Sequence, residues 1–287
     1  MKLQDFLIDA AAQLRPLSDD PGVEARVLAS HVTGRPPAWL LAHPDSDLSP
    51  DQASALEALL RRRLEGQPLP YLIGHWEFFG LDFDLTPDVL IPRPETELLV
   101  ETAIAWAHAN NPTRAIDVGT GCGCIAVALA SHCPDLAITA TDISPMALAL
   151  AHRNAQKHGV AERVAPVECD LFPSGDNPDL NFELILANPP YIPTEKMKQT
   201  PVYGREPTLA LDGGVDGLRV VSRLLEQAGG RLAAGGLLLV EFESSLRAPV
   251  EAQARERFPL AKIEIKKDLL GLDRLLVVQT QIRGGSF

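Results

Sequence analysis

Residues 182–193 read Phe-Glu-Leu-Ile-Leu-Ala-Asn-Pro-Pro-Tyr-Ile-Pro, and the two halves of this stretch demand different backbones. The run 184–187, Leu-Ile-Leu-Ala, is short, apolar and unbroken, the pattern of a strand buried on both faces of a parallel sheet. Asn188-Pro189-Pro190-Tyr191 cannot continue that strand. Two consecutive prolines remove two backbone donors, fix two φ angles and hold the residue before each in extended geometry. The expected product is a stiff hook at the carboxyl end of a central strand, where open α/β sheets bind their ligands. There the Asn188 side-chain oxygen and a proline carbonyl can face one point, with the Tyr191 ring beside them. Two fixed acceptors of this kind suit the two hydrogens of an –NH2 group. For these four residues alone, an Asn turn that simply ends the strand is the competing reading.

Working outward, strand and helix patterns alternate from residue 115 onward, which predicts a doubly wound parallel sheet. Strands are expected at 115–118, 137–141, 164–168, 184–187 and 237–241, with a terminal pair at 261–265 and 275–279. Several tips carry chemistry. After the first strand stands Asp117-Val118-Gly119-Thr120-Gly121-Cys122-Gly123, a G-x-G-x-G loop and not the G-x-G-x-x-G of dinucleotide folds. Its glycines let backbone pass close under a ligand, and Asp117 can accept from a cationic group such as an α-amino group. Asp142, 23 residues after Gly119 and followed by Ile143, suits a hold on two ribose hydroxyls. Asp170 can accept from an adenine amino group, with Leu171 or Phe172 covering the ring. Together with the hook, these tips converge on a nucleoside with a charged amino-acid tail, the shape of S-adenosylmethionine. Cys122 and Cys124 read as small residues beside a crowded loop.

Residues 1–70 read differently, as a small helical bundle suited to partner recognition. Phe6, Leu7, Ala10, Ala11 and Leu14 recur at helical spacing. Asp20-Pro21 offers an N-cap and an N1 proline to a second helix, and Ser49-Pro50-Asp51-Gln52 is a capping-box pattern. Arg61-Arg62-Arg63 reads as a solvated last turn. Residues 66–70 read as a linker, and the aromatic-rich 76–85 as a hairpin between domains. The expected division is therefore 1–70 helical domain, 71–92 linker and hairpin, and 93–287 catalytic domain. At its start, Pro92-Arg93-Pro94-Glu95-Thr96-Glu97 makes a rigid corner opening a helix, either merely a capped start or a wall of the ligand pocket.

Composition narrows the partners. A net charge of −12 disfavours nonspecific nucleic-acid binding, which needs clustered Lys and Arg. No apolar run of membrane-spanning length occurs, and the four cysteines fit neither a disulfide framework nor zinc spacing. A cytoplasmic protein is expected, with no membrane partner, no direct nucleic-acid partner and no metal.

The sequence resembles the HemK/PrmC-type glutamine-N5 methyltransferases, which modify the glutamine of the Gly-Gly-Gln motif in class-1 peptide chain release factors. The likeness covers nearly the whole chain. It includes the Gly74 to Gly80 segment, LIPRPETE at 90–97, IDVGTGCGCIA at 116–126, ATDIS at 140–144, NPPYIP at 188–193 and REPTLALDGGVDGL at 205–218. NPPY alone is shared with other amino-group methyltransferases, whereas PRPETE with REPTLAL is far more family-specific. One departure is Glu241-Phe242-Glu243-Ser244, where the family usually carries Glu-Ile-Gly. The resemblance implies a Rossmann-like class I methyltransferase sheet, S-adenosylmethionine as methyl donor, and a monomeric enzyme acting on release factors. It further implies that Asn188 and Pro189 accept the two hydrogens of a glutamine amide, with Pro190 and Tyr191 beside the substrate. Arg93 of the PRPETE corner is expected against the same substrate pocket, and Glu206, followed by Pro207, reads either as a loop anchor over the substrate cleft or as a plain surface turn. A ribosomal-protein glutamine methyltransferase would share every catalytic motif. A nucleic-acid amino-group methyltransferase or a cofactor-binding adaptor are the more distant alternatives.

Overall fold

The computed structural model describes residues 1–175 and 181–282; the last five residues of the expected 93–287 domain lie outside the described part. The chain divides into two compact units, one of Met1–His75 and one beginning at Trp76.

The first unit is helical: α1 (Leu3–Leu14), α2 (Pro21–Thr33), α3 (Pro37–Ala42), α4 (Pro50–Leu64) and α5 (Leu69–Ile73). Its helices begin where the sequence places caps. Asp20 Oδ1 accepts from Val23 N–H at 3.0 Å. Ser49 and Gln52 bond each other's backbones reciprocally at 3.1 and 3.0 Å, which satisfies two otherwise orphaned donors of α4. Leu3, Phe6, Ala10, Leu14, Leu28, Leu56 and Leu60 are buried. Two expectations are corrected here. Arg63 is not solvated: it makes a bidentate pair with Glu24 of α2 at 2.7 and 3.0 Å, both side chains largely buried. The expected linker 66–70 runs directly into α5, because Pro70 sits in the first turn, where a missing N–H costs nothing.

The expected hairpin follows, β1 (His75–Phe78), whose last three residues open the second unit, and β2 (Leu81–Asp84), turned by Phe79 and Gly80, both at positive φ. Burying Phe78 and Phe83 contributes about 1.5–3 kcal/mol each. A 3₁₀ turn at Pro94–Thr96 leads into α6 (Glu97–Asn110). The sheet follows with β3 (Arg114–Val118), α7 (Cys124–His132), β4 (Ala137–Asp142), α8 (Pro145–Lys157), β5 (Val164–Glu168), β6 (Phe182–Ala187), α9 (Thr194–Met197), α10 (Arg219–Ala228), β7 (Leu232–Glu241), α11 (Arg247–Arg257), β8 (Lys262–Lys267) and β9 (Asp273–Gln279).

Seven strands pair in the order β5-β4-β3-β6-β7-β9-β8, parallel from β5 to β7, with β9 and β8 antiparallel at the edge. This is the doubly wound sheet the sequence predicts. The chain runs outward from β3 to β5 and then returns to place β6 on the other side of β3. That reversal opens a crevice above the β3 and β6 tips. The run Leu184, Ile185, Leu186 and Ala187 is completely buried, as a central parallel strand requires. Helix α7 packs with both α6 and α8, and α10 packs with α11. No described helix is long and apolar enough to cross a membrane.

Candidate active site

The carboxyl ends of β5, β4, β3 and β6 lie side by side and carry, in that order, Asp170, Asp142, Asp117 with its glycine loop, and Asn188. The loop folds back on β4 because the Gly119 and Thr120 N–H groups both donate to the Thr141 carbonyl at 2.8 Å. Gly119 and Gly121 have positive φ, and among the described residues no atom beyond their immediate chain neighbours comes within 4 Å of where a Cβ would stand on either. The backbone therefore offers an open cradle that any other residue would partly fill.

Asp117 is fully buried. Its Oδ2 accepts from the Thr120 hydroxyl at 2.6 Å, while Oδ1 finds no hydrogen-bond partner among the described residues. Burial pushes its pKa up to about 7, against the pull of the Thr120 hydroxyl and the Ala126 N–H and with a small further push from Asp142. A buried carboxylate with an unspent acceptor is what an ammonium group would satisfy. Asp142 is held from both sides: Oδ2 accepts from Gly121 N–H at 3.0 Å and Oδ1 from Ser144 N–H at 2.9 Å. Each oxygen keeps a further lone pair for a hydroxyl. Ile143 beside it is 52% exposed. These features fit a nucleoside bearing an amino-acid tail.

Two expectations at the β5 tip change. Asp170 Oδ2 pairs with Arg223 at 2.6 Å, so only its other oxygen is uncommitted. Phe172 is buried in the core with Val118, Ala187 and Phe242, which leaves Ile143 and Leu171 as the apolar side chains at the tips. Leu171 is turned by a positive φ, and its carbonyl accepts from the Thr141 hydroxyl at 2.8 Å. Cys122 and Cys124 are buried, as small residues beside the loop.

The hook follows β6. Asn188 Nδ2 donates to Thr96 Oγ1 at 3.0 Å, and Thr96 is buried in the PRPETE turn. Because the NH2 end is committed, Oδ1 is the end left to accept. The Tyr191 hydroxyl donates to Glu241 Oε1 at 3.2 Å. Burial and the neighbouring Glu241 charge raise the Tyr191 pKa far above its ordinary value. Beyond the hook, Ile192 N–H donates to the Leu211 carbonyl at 3.0 Å and its carbonyl accepts from Gly213 at 2.9 Å. A Cβ on Gly217 would lie 2.5 Å from the Tyr191 carbonyl oxygen, so the DGGVDG loop braces the hook by backbone contact only glycine permits.

A cavity of about 260 Å³ adjoins the hook, lined by Leu90, Arg93, Asn188, Pro189, Tyr191, Ile192, Val202, Ala210 and Leu211. Pro190 does not line it. Glu206, with a side chain only 2% exposed, ties one wall to another: it accepts from Ile91 N–H at 3.1 Å and pairs with Arg93. Sequence reading missed Thr96 as a partner of Asn188 and Glu241 as a partner of Tyr191. The usable signals were Thr96's place inside a rigid corner and an acidic residue ending an otherwise apolar strand.

This sheet, with a glycine cradle at its switch point and an Asn-Pro-Pro-Tyr hook beside it, defines a methyltransferase of the doubly wound class. Residues 5–74 match the family described as the PrmC N-terminal domain, and residues 94–203 the methyltransferase small domain. The release factor glutamine methyltransferase of Bordetella pertussis is 42% identical over 267 residues, covering 91% of this chain and 97% of that protein. Its Escherichia coli counterpart is 40% identical, covering 84% and 86%. The Thermus thermophilus 16S rRNA N2 G1207 methyltransferase, solved with AdoMet and guanosine, shares the fold at a TM-score of 0.53 and 15% identity, over 72% of this chain and 50% of that one. The chain belongs to the release factor glutamine methyltransferase family.

Proposed function

We propose that this protein transfers a methyl group from S-adenosylmethionine to the side-chain nitrogen of the glutamine in the Gly-Gly-Gln motif of class-1 peptide chain release factors. The observation that carries this reading is the pinning of the Asn188 amide by Thr96, which leaves its oxygen free to accept. The cofactor supplies an electrophilic methyl group on a sulfonium. Asp117 would hold its ammonium, Asp142 its ribose, the glycine loop its tail, and Ile143 with Leu171 its base. Asp170 would keep one oxygen for the adenine amino group.

A carboxamide nitrogen is a weak nucleophile because its lone pair is delocalised into the carbonyl. Asn188 Oδ1 and the Pro189 carbonyl would accept its two hydrogens and turn the nitrogen's lone pair toward the methyl donor. Neither Pro189 nor Pro190 has an N–H, so the corner adds no backbone donor to compete. Orientation of this kind can supply about 7–11 kcal/mol, and one positioned polar partner a factor of about 10²–10³. The Tyr191 hydroxyl is committed to Glu241 and its pKa is raised, so the ring packs on the amide and the hydroxyl is not the base. The nitrogen sheds its proton after transfer, when it has become strongly acidic.

The protein is read as a cytoplasmic monomer acting on a protein partner, consistent with its charge of −12. Incubation with purified release factor, a ribosomal protein and labelled methyl donor tests this: label on the Gly-Gly-Gln glutamine supports it, and label only on the ribosomal protein overturns it.

A further inference from the structure

Helix α8 carries a completely buried asparagine, Asn154, that the site described above does not use. Its Oδ1 accepts from the Asp84 N–H at 2.9 Å, and its Nδ2 donates to the Asp84 carbonyl at 3.1 Å and to the Cys122 carbonyl at 2.8 Å. The partners fix which way the amide points, because the N–H must meet the oxygen and the two carbonyls the nitrogen. By exchanging both bonds with Asp84, Asn154 stands in for a strand partner at the end of β2. Its second hydrogen holds the glycine loop at Cys122. The same loop is held one residue earlier by Asp142 on the Gly121 N–H, and α8 comes so close that a Cβ on Gly123 would stand 2.9 Å from the Ala151 Cβ.

The face of α8 that carries Asn154 is otherwise given to the hairpin. Lys157 reaches Asp82 at 2.7 Å and Asp84 at 2.6 Å, and His158 Nε2 donates to the Asp82 carbonyl at 2.8 Å. At the hairpin's turn, the Phe79 N–H donates to Glu97 Oε1 at 2.9 Å, and Glu97 adjoins the Thr96 that holds Asn188. The hairpin is thus tied at one end to the corner that holds the hook and at the other, through one amide, to the glycine cradle. An apolar side chain could fill the space between helix and hairpin equally well. The amide is required because three backbone groups from two separate segments end there, each costly to bury unpaired.

We propose that Asn154 is a positioning residue for cofactor binding: its amide sets the Cys122 carbonyl, and with it the arc from Gly121 to Gly123, and makes that arc depend on the β1–β2 hairpin. The proposal deepens the S-adenosylmethionine reading given above and rests on it. It assigns part of the cofactor's affinity to a hairpin that contains none of the residues expected to touch the cofactor. By reciprocity, bound cofactor must steady the hairpin.

The test titrates wild type, Asn154→Ala, Lys157→Glu and the double variant with S-adenosylmethionine by calorimetry, well below their melting temperatures. Asn154→Ala removes the link and should weaken binding about tenfold, within the usual range of coupling between sites. Lys157→Glu sets a third carboxylate against Asp82 and Asp84 and so acts on the hairpin. It should weaken binding about threefold in the wild-type background and leave it unchanged in Asn154→Ala, a non-additivity that a residue merely filling the core would not produce. Hydrogen exchange supplies a second readout: cofactor should slow exchange over residues 76–85 in wild type and leave it unaltered in Asn154→Ala. Wild-type affinity in Asn154→Ala, or equal losses from Lys157→Glu in both backgrounds, overturns the proposal. If Asn154→Ala does not fold, Lys157→Glu with wild-type affinity, or wild-type hairpin exchange indifferent to bound cofactor, overturns it as well. Wild type that binds no S-adenosylmethionine overturns the cofactor reading instead. The link is then decided without cofactor, by whether the 119–123 loop exchanges faster in Lys157→Glu than in wild type.

Discussion

Replacing Asp117 with Asn should make the cofactor-free protein more stable at pH 8 while weakening its hold on the cofactor. Asp117 is completely buried, and its pKa rises from 3.8 to about 7 in the folded state. A group shifted in this direction contributes its full stability below the unfolded pKa and loses it as pH climbs through the folded one. At about 1.4 kcal/mol per pH unit, that interval corresponds to about 4 kcal/mol, carried by the cofactor-free protein above neutrality. Asn keeps the shape and carries no charge. The variant should therefore melt higher than wild type at pH 8, by up to about 10 °C in a domain of this size, with the gap closing toward pH 4. The cofactor's ammonium would supply the partner Oδ1 lacks, so wild type should gain far more in melting temperature from cofactor than the variant does. Wild-type affinity should rise with pH up to about 7 and then level, and the variant's should not. Thermal melts at both pH values, with calorimetric titration of cofactor, decide the matter. A variant that melts lower at pH 8 and binds cofactor as wild type does would refute the assignment of Asp117.

Three further outcomes follow from the same geometry. Tyr191→Phe removes one hydrogen bond to Glu241 but keeps the ring, so turnover should fall by less than about tenfold, in line with about 1 kcal/mol for one hydrogen bond, as steady-state kinetics would show. Glu206→Gln breaks the charged tie from Glu206 to Arg93 of the 90–93 wall, so it should raise the KM for the protein substrate with little change in cofactor affinity, read by kinetics and titration. Gly217→Ala places a Cβ against the Tyr191 carbonyl at a positive φ; it should cost about 1–3 kcal/mol in denaturant unfolding and reduce turnover by shifting the hook.

The parts of this molecule written in local patterns were legible in its sequence. The buried run before Asn188, the capping residues of α2 and α4, the glycine loop and the acidic strand tips each depend on neighbours a few residues away. Contacts between distant residues were not. Arg63 meets Glu24 across 39 positions, Arg223 takes Asp170 across 53, and Thr96 holds Asn188 across 92. No local spacing encodes such pairs. Strand β7 begins at Leu232, five residues before the expected strand 237–241, and this early start was not legible because Ala233-Ala234-Gly235-Gly236 carries no strand signature. Its backbone is nonetheless needed: a Cβ on Gly236 would meet the Glu183 carbonyl at 2.8 Å. Glu241 could be seen as an acidic residue ending an apolar strand, but only the pairing of β6 with β7 places it beside the hook.

Methyl transfer by Asn188→Ala, measured beside its cofactor affinity, bears most directly on the claim that an outward-facing asparagine oxygen orients the glutamine amide. Wild type should place one methyl group on the Gly-Gly-Gln glutamine of a release factor, located by peptide mass spectrometry. The alanine variant should bind S-adenosylmethionine within about threefold of wild type and turn over about 10²–10³ times more slowly. A variant that methylates that glutamine at the wild-type rate would contradict the account.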